Sequence, residues 1–286
     1  VPGVAGALWE AGPPITLSDR GFAYADGVFE TMLLRSGNYW LLSRHLQRLH
    51  RGLAELQLAP PQPSMIQALL AGAADAAAKA GESTGILKLF ASAAPAARGY
   101  GRPAGHPVVL RAQLLSSSAD PAAPAANRAC AISPHQLPAR AGLSATKHLN
   151  RAEQVLGAIR ELDAPEQELL LGNEAGELQC ATSSNVVIER DGVLCTPVLQ
   201  GPTIAGTLRE ELLDDPRLAL RCAPVAMTEL PALTGLWSIN SVVGLCRLSL
   251  PGTEPEAGGH AERALLAAIS RSLSRTEKAQ AAGSGS

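Results

Sequence analysis

The sequence predicts an α+β chain in two domains, a small N-terminal one and a larger mixed one. Three observations predict this. Strand-like and helix-like segments are interspersed without the regular alternation of a doubly wound sheet, and no glycine-rich dinucleotide fingerprint follows a strand. A small, polar, proline-punctuated stretch, Ser116-Ser117-Ser118-Ala119-Asp120-Pro121-Ala122-Ala123-Pro124, separates the two parts. The 286 residues, 46% hydrophobic and 17% charged, suffice for two cores of ordinary domain size.

The elements follow in order. Phe29 to Arg35 reads as a strand. Leu42, Leu46, Leu49, Leu53 and Leu56 recur at spacings of four and three, which is one face of a helix. Met65 to Ala80 reads as an alanine-rich helix, and Gly85 to Ser92 and Pro107 to Leu115 as strands. These make residues 1–115 the small domain and 116–126 the linker, with 127–280 as the larger domain and 281–286 as a tail. In the larger part Asn150 to Leu162 is helical, with Asn150 placed to cap it. Gln167 to Leu171, Asn185 to Glu189 and Val193 to Thr196 read as strands, the last two joined by an Asp191-Gly192 hairpin turn. A loop with Gly201 and Pro202 leads to a helix over Gly206 to Asp214, and Ala261 to Leu273 closes the chain.

The net charge of −2 offers no basic field, so nucleic acid is not an expected partner. No apolar run is long enough to span a bilayer, and no secretory signal pattern is visible. The five cysteines, Cys130, Cys180, Cys195, Cys222 and Cys246, are scattered and show no C-x-x-C spacing. That argues against a disulfide framework and a zinc site, and a reducing cytoplasm is the simplest compartment.

Chemistry concentrates at a few residues. The chain has only four lysines against twenty arginines. Lys147, in Ser144-Ala145-Thr146-Lys147-His148-Leu149-Asn150-Arg151, stands just before a helical segment. Arginine replaces a surface lysine at little cost but cannot replace an amine that must lose its proton and form an imine. Arg48, in His45-Leu46-Gln47-Arg48-Leu49, is either a solvated arginine on an amphipathic helix or a bidentate phosphate ligand. Spacing alone does not decide. Ile204-Ala205-Gly206-Thr207-Leu208-Arg209 runs from a loop into a helix, where first-turn N–H groups favour an anion; an ordinary helix start is the alternative. Asn240-Ser241 is a small polar turn after Leu236-Trp237-Ser238-Ile239. Arg98-Gly99-Tyr100 lies in a Gly/Pro-rich loop, suited to carboxylate recognition or to a plain surface turn.

The order of these segments resembles the fold-type-IV pyridoxal-phosphate enzymes, which comprise branched-chain and D-amino-acid aminotransferases and 4-amino-4-deoxychorismate lyase. The resemblance covers nearly the whole chain. Asp19-Arg20-Gly21-Phe22-Ala23-Tyr24-Ala25-Asp26-Gly27-Val28-Phe29-Glu30-Thr31 is similar to the family's opening strand signature, and the Arg48 segment to its phosphate-arginine helix. Lys88 through Tyr100 and Thr146 through Arg151 resemble the lyase branch, the latter most specifically. Gly176-Glu177-Leu178 with Ser184-Asn185 resembles the cofactor-ring strand, and Gly206-Thr207-Leu208-Arg209 the phosphate turn.

The resemblance implies pyridoxal 5′-phosphate as cofactor, Lys147 as its Schiff-base lysine and catalytic base, and a homodimer. It implies that Arg48, the Thr207 and Leu208 N–H groups, Gly206, and Asn240 or Ser241 hold the phosphate. Cys180 and Asn185 then lie at the ring, and Tyr24, Thr31, Arg98 and Tyr100 face a carboxylate-bearing substrate. The implied reaction converts 4-amino-4-deoxychorismate to 4-aminobenzoate and pyruvate, a step of folate biosynthesis. An aminotransferase, or a diverged protein that binds the cofactor with little activity, are the alternatives. Three positions depart from the pattern. Cys180 stands where a glutamate normally pairs with the pyridine nitrogen, Ala93 where the lyase branch has arginine, and Ala25 where glycine is usual. Strand alternation turns Gln179 away from the Cys180 face unless a one-residue bulge brings it round.

Overall fold

A computed structural model describes residues 6–97, 99–138, 143, 145–159, 168–253 and 258–283. The chain divides into two compact units. One comprises the chain through Ala119, Thr146–Asn150 and the segment from Thr276; the other comprises Asp120–Ala145 and Arg151–Arg275. The Lys147 pentapeptide departs from the expected 127–280 span, because its backbone hydrogen-bonds to a strand of the first unit.

The first unit holds β1 (Trp9–Ala11), α1 (Arg20–Tyr24), β2 (Gly27–Arg35), β3 (Asn38–Tyr39), α2 (Leu42–Glu55), α3 (Pro63–Lys79), β4 (Thr84–Ala93) and β5 (Val108–Ser116). Its strands make one antiparallel sheet in the order β1-β5-β4-β2-β3. With period two, Val28, Met32 and Leu34 of β2, Leu87 and Leu89 of β4, and Leu110 and Leu114 of β5 turn into one core. There they meet Leu49 and Leu53 of α2 and Ile66, Leu70 and Ala73 of α3, while Leu42, Leu46 and Leu56 of the leucine stripe are only partly buried. Pro63 opens α3, where its missing N–H needs no partner.

The Asp19–Thr31 signature is a strand only in its second half. Asp19 caps α1 by accepting a bond from the Phe22 N–H, and the helical turn ends at Ala25 in the left-handed region (φ 53°, ψ 30°). The Ala25 and Asp26 N–H groups return to the Gly21 and Arg20 carbonyls. Glycine usually supplies this helix ending, which accounts physically for the glycine expected at position 25.

The second unit holds β6 (Ala126–Ile132), α4 (Ala152–Gly157), β7 (Glu168–Gly172), β8 (Leu178–Ala181), β9 (Asn185–Arg190), β10 (Val193–Pro197), α5 (Thr207–Leu213), β11 (Arg221–Ala223), a 3-10 turn (Met227–Ala232), β12 (Gly235–Asn240) and β13 (Gly244–Ser249). The final helix, α6 (His260–Gly283), begins in it and runs well past the expected Leu273. The sheet is mixed, in the order β11-β10-β9-β12-β13-β6-β7-β8, and curls into a half-barrel. It is parallel at β10–β11, β13–β6 and β6–β7. Asp191 and Gly192, both at positive φ, close the β9–β10 hairpin as their sequence demands.

The helix expected from Asn150 to Leu162 is shorter in its described part. It starts at Ala152 with Arg151 as cap residue instead of Asn150. The chain is still tied to β2 as far as Leu149, so helical geometry cannot begin at Asn150. Residues 160–167 lie outside the described ones. No helix among the described residues is long and apolar enough to cross a membrane.

Candidate functional site

Lys147 sits on an extended segment laid along the edge of β2. The Phe29 N–H donates to the Lys147 carbonyl at 3.0 Å and the Leu149 N–H to the Gly27 carbonyl at 2.9 Å, with His148 bridged to Val28 between them. The Thr146 hydroxyl donates to the Glu55 carboxylate at the end of α2. Gly52 makes room for this approach: a Cβ there would come within 2.8 Å of Val28 Cγ1 and 3.0 Å of Thr146 Cγ2. The Lys147 amine lies 4.3 Å from the Phe29 ring centroid, within reach of its π face. Backbone anchoring fixes where the amine starts, as a nucleophilic or basic lysine requires.

Arg48 is not a solvated arginine. It is buried, and its Nε and Nη2 grip Glu30 of β2 at 2.8 and 2.6 Å. His45, three residues earlier on α2, meets the same carboxylate through Nδ1 at 2.7 Å. Burial alone would raise the Glu30 carboxyl, but Arg48 and then His45 outweigh it and hold it near 2. Burial pushes His45 down, and the Arg48 and Lys147 charges add to this against the pull of Glu30, so the imidazole is neutral. Its Nδ1 therefore carries the proton donated to the carboxylate. Glu30 and His45 were not singled out from the sequence. The available signal was an acid inside the apolar run Val28–Leu34, opposite a histidine and an arginine one helical turn apart.

Among the expected substrate residues, Tyr24 and Tyr100 come together, with ring centroids 5.2 Å apart. Thr31 lies on β2, half-buried and paired with Lys88. Arg98 lies outside the described residues. Ala93 is fully buried in the core of the unit, and its N–H donates to the Asp26 carbonyl, so position 93 presents no charge outward.

In the second unit the β7–β8 ladder slips by one residue. Leu171 pairs with Cys180, but Gly172 pairs with Leu178, which leaves Gln179 as the extra residue of a bulge. Cys180 packs with Leu137 and Leu171. Burial, reinforced by Glu168 and opposed by Arg151, pushes its thiol up to about 12, so it stays protonated. Gln179 is buried; its Oε1 accepts from the Gln200 N–H at 2.7 Å, and its Nε2 has no hydrogen-bond partner.

Asn185 organises the turn into α5. Its Nδ2 donates to the Ile204 carbonyl and its Oδ1 accepts from the Gly206 N–H, both at 2.9 Å. A Cβ at Gly206 would fall 2.1 Å from that Oδ1, so only glycine fits. Thr207 and Leu208 follow as buried first-turn residues. Arg151 and Gln154 steady the preceding loop through the Pro202 carbonyl. Asn240 spends its amide locally: Oδ1 accepts from the Val242 and Val243 N–H groups, and Nδ2 donates to the Ser184 hydroxyl. Ser241 follows it and is buried.

Taken unit by unit, these residues fit a phosphorylated pyridoxal in part. The first unit offers an anchored primary amine and a buried, oriented guanidinium, and the second a glycine turn too tight for any side chain. The ring-nitrogen position implied by the resemblance offers only a neutral thiol beside a bulged amide.

The folds of the two units and the anchored lysine define a class of enzyme, and the chain belongs to the family Amino-transferase class IV, whose model matches residues 27–250. Particular relatives sharpen this. The chain is similar to an aminodeoxychorismate lyase of Vibrio harveyi, 30% identical over 255 residues, 85% of this chain and 90% of that one. It is also similar to the crystal structure of 4-amino-4-deoxychorismate lyase from Pseudomonas aeruginosa, with 31% identity and a TM-score of 0.76, covering 93% of this chain and 98% of that one. The PLP-bound form of a hypothetical aminotransferase from Mycobacterium tuberculosis shares the fold at 19% identity and a TM-score of 0.72, over 91% and 93% of the two chains.

Proposed function

We propose that this protein is a pyridoxal-phosphate-dependent carbon–oxygen lyase that converts 4-amino-4-deoxychorismate to 4-aminobenzoate and pyruvate. The observation that carries the reading is the likeness, at 30% and 31% identity over most of the chain, to two lyases of that name. The cofactor is pyridoxal 5′-phosphate, which when bound supplies an electron sink for the substrate's amine-bearing carbon.

The chain's own residues do the rest. Lys147 would hold the cofactor covalently, and its Nζ would take the proton from the substrate's amine-bearing carbon. That step requires a neutral amine, and the backbone bonds to Gly27 and Phe29 fix where it starts. Arg48 contributes charge toward the phosphate, with Glu30 fixing the plane of its guanidinium. The Thr207 and Leu208 N–H groups bind the phosphate on the turn that Asn185 and Gly206 shape, and Asn240 or Ser241 completes that set. Tyr24, Thr31, Arg98 and Tyr100 receive the substrate, and the enzyme works as a cytoplasmic homodimer in folate biosynthesis.

Cys180 supports a lyase over an aminotransferase. A protonated thiol does little to stabilise a pyridinium, and transamination leans heavily on that stabilisation. Elimination that forms an aromatic ring has its own driving force and tolerates a weaker sink. The test is to incubate the purified protein with aminodeoxychorismate, without a keto acid, and measure 4-aminobenzoate and pyruvate beside a D-alanine transamination control. Equimolar release of both products is expected. Turnover only with an amino acceptor would establish the aminotransferase instead. No turnover, with no visible cofactor absorbance that Lys147→Ala abolishes, would leave a diverged binding protein.

A further inference from the structure

Beside the first unit's core, Arg20 and Arg102 converge on Asp26 next to the solvent-facing Tyr24 and Tyr100, and no step above uses these three charged residues. Arg20 Nε donates to Asp26 Oδ2 at 2.9 Å, while its Nη1 and Nη2 donate to the carbonyls of Gly99 and Tyr100 at 3.0 and 2.7 Å. Arg102 grips the same carboxylate from another side, Nε to Oδ2 at 2.8 Å and Nη2 to Oδ1 at 2.9 Å. Its Nη2 also donates to the Leu56 carbonyl just past α2. Asp26 thus ties together α1, the start of β2, the end of α2 and the loop that carries Tyr100. The three side chains are 5%, 11% and 12% exposed, so these charged bonds are little screened.

What the clasp holds is unusual. Tyr100 is 84% exposed and contributes almost nothing to a core. Its backbone is nonetheless fixed by Arg20, its ring lies against Tyr24, and the Arg20 guanidinium sits 5.1 Å from the Tyr24 ring centroid. Core stability does not account for buried charged bonds spent on fixing an exposed ring. Pre-ordering a ring for a ligand does, because a binding surface otherwise loses side-chain and loop entropy on contact. Two guanidinium groups share one carboxylate, which leaves a net positive charge beside the rings.

We propose that the Arg20–Asp26–Arg102 clasp is a positioning device that holds Tyr24 and Tyr100 as a platform for a planar ring bearing a carboxylate. The choice of ligand class rests in part on the lyase reading; the clasp geometry does not. Arg20, Asp26 and Arg102 act through the tyrosines and the loop backbone, so their loss falls on ligand affinity rather than on the cofactor or the proton transfer.

The experiment titrates 4-aminobenzoate into the holoenzyme by calorimetry, for wild type, Asp26→Asn, Asp26→Glu and Tyr100→Ala, with cofactor absorbance and affinity followed in each. Asp26→Asn is expected to weaken 4-aminobenzoate by about tenfold and to raise KM for aminodeoxychorismate similarly, with kcat within about threefold and cofactor binding unchanged. Asp26→Glu should recover part of the loss, and Tyr100→Ala should reproduce it without a change in melting temperature. A wild type that does not bind 4-aminobenzoate overturns the platform. So does unchanged affinity in both Asp26→Asn and Tyr100→Ala. If Asp26→Asn loses cofactor and ligand together while Tyr100→Ala loses neither, the clasp is structural only. Failure to release pyruvate sinks the lyase reading separately, since the titration does not need turnover.

Discussion

At Cys180 the surroundings set the chemistry. Packed with Leu137 and Leu171 and held protonated by burial, the thiol has no charge to offer a pyridine ring. Cys180→Glu is expected to shift the visible absorbance of the bound cofactor and to raise transamination relative to lyase turnover. Unchanged spectrum and rates would place position 180 away from the ring, and Gln179→Glu made in parallel tests its bulged neighbour. The cysteine at position 180, where the resemblance implies a glutamate, was legible in the sequence. The slip that frees Gln179 was not, because it depends on which residue of β7 each residue of β8 meets. Ala25 is a second residue-scale case. Its left-handed conformation costs an L-residue roughly 1 kcal/mol that glycine avoids, so Ala25→Gly should raise urea-unfolding stability by about that amount.

At the scale of elements, the turn into α5 is built around what glycine lacks. A methyl at Gly206 would collide with Asn185 Oδ1 and break the two bonds that set the loop. Gly206→Ala is expected to lower pyridoxal-phosphate affinity by at least about tenfold, each lost bond contributing about 1 kcal/mol, measured by equilibrium titration. Pyridoxal without its phosphate should suffer less. The long elements with clear periodicity, α2, α3, β4, β5 and the β9–β10 hairpin, could be read from the sequence within a few residues. The three-residue β1 and β11 and the two-residue β3 could not, since pairing with a neighbour defines them and period does not. Helix α1, in a stretch assigned no element from the sequence, is set by its local caps: Asp19 and the Ala25 ending make one turn of helix out of five residues.

For the molecule as a whole, acid lability should trace to Glu30. Its carboxyl is depressed from 4.5 to about 2, so its contribution is complete above the unfolded value and is lost as pH falls from there toward 2. Neutral, buried His45 acts in the same direction, because protonation favours the unfolded chain. Wild-type stability in urea is therefore expected to fall by on the order of 3 kcal/mol between about pH 5 and about pH 2 from Glu30 alone. Glu30→Gln should be less stable at neutral pH, because Arg48 loses its partner, and should show a flatter profile below pH 5 or so. An equally steep profile in that variant would remove Glu30 from the account. The sequence showed Arg48 but not the acid and imidazole that define its state, since long-range pairing has no periodic signature.

The seating of Thr146–Asn150 against β2 also orders events in time. As the chain leaves the ribosome, the β2 edge from Gly27 to Phe29 emerges more than a hundred residues before the strand that covers it. Until Leu149 is free to reach back, that edge is an open template for other chains, the kind of exposure that chaperones guard. The β2 edge is thus closed late, by the same five residues that carry Lys147, so a nascent chain places that amine only as the edge is sealed.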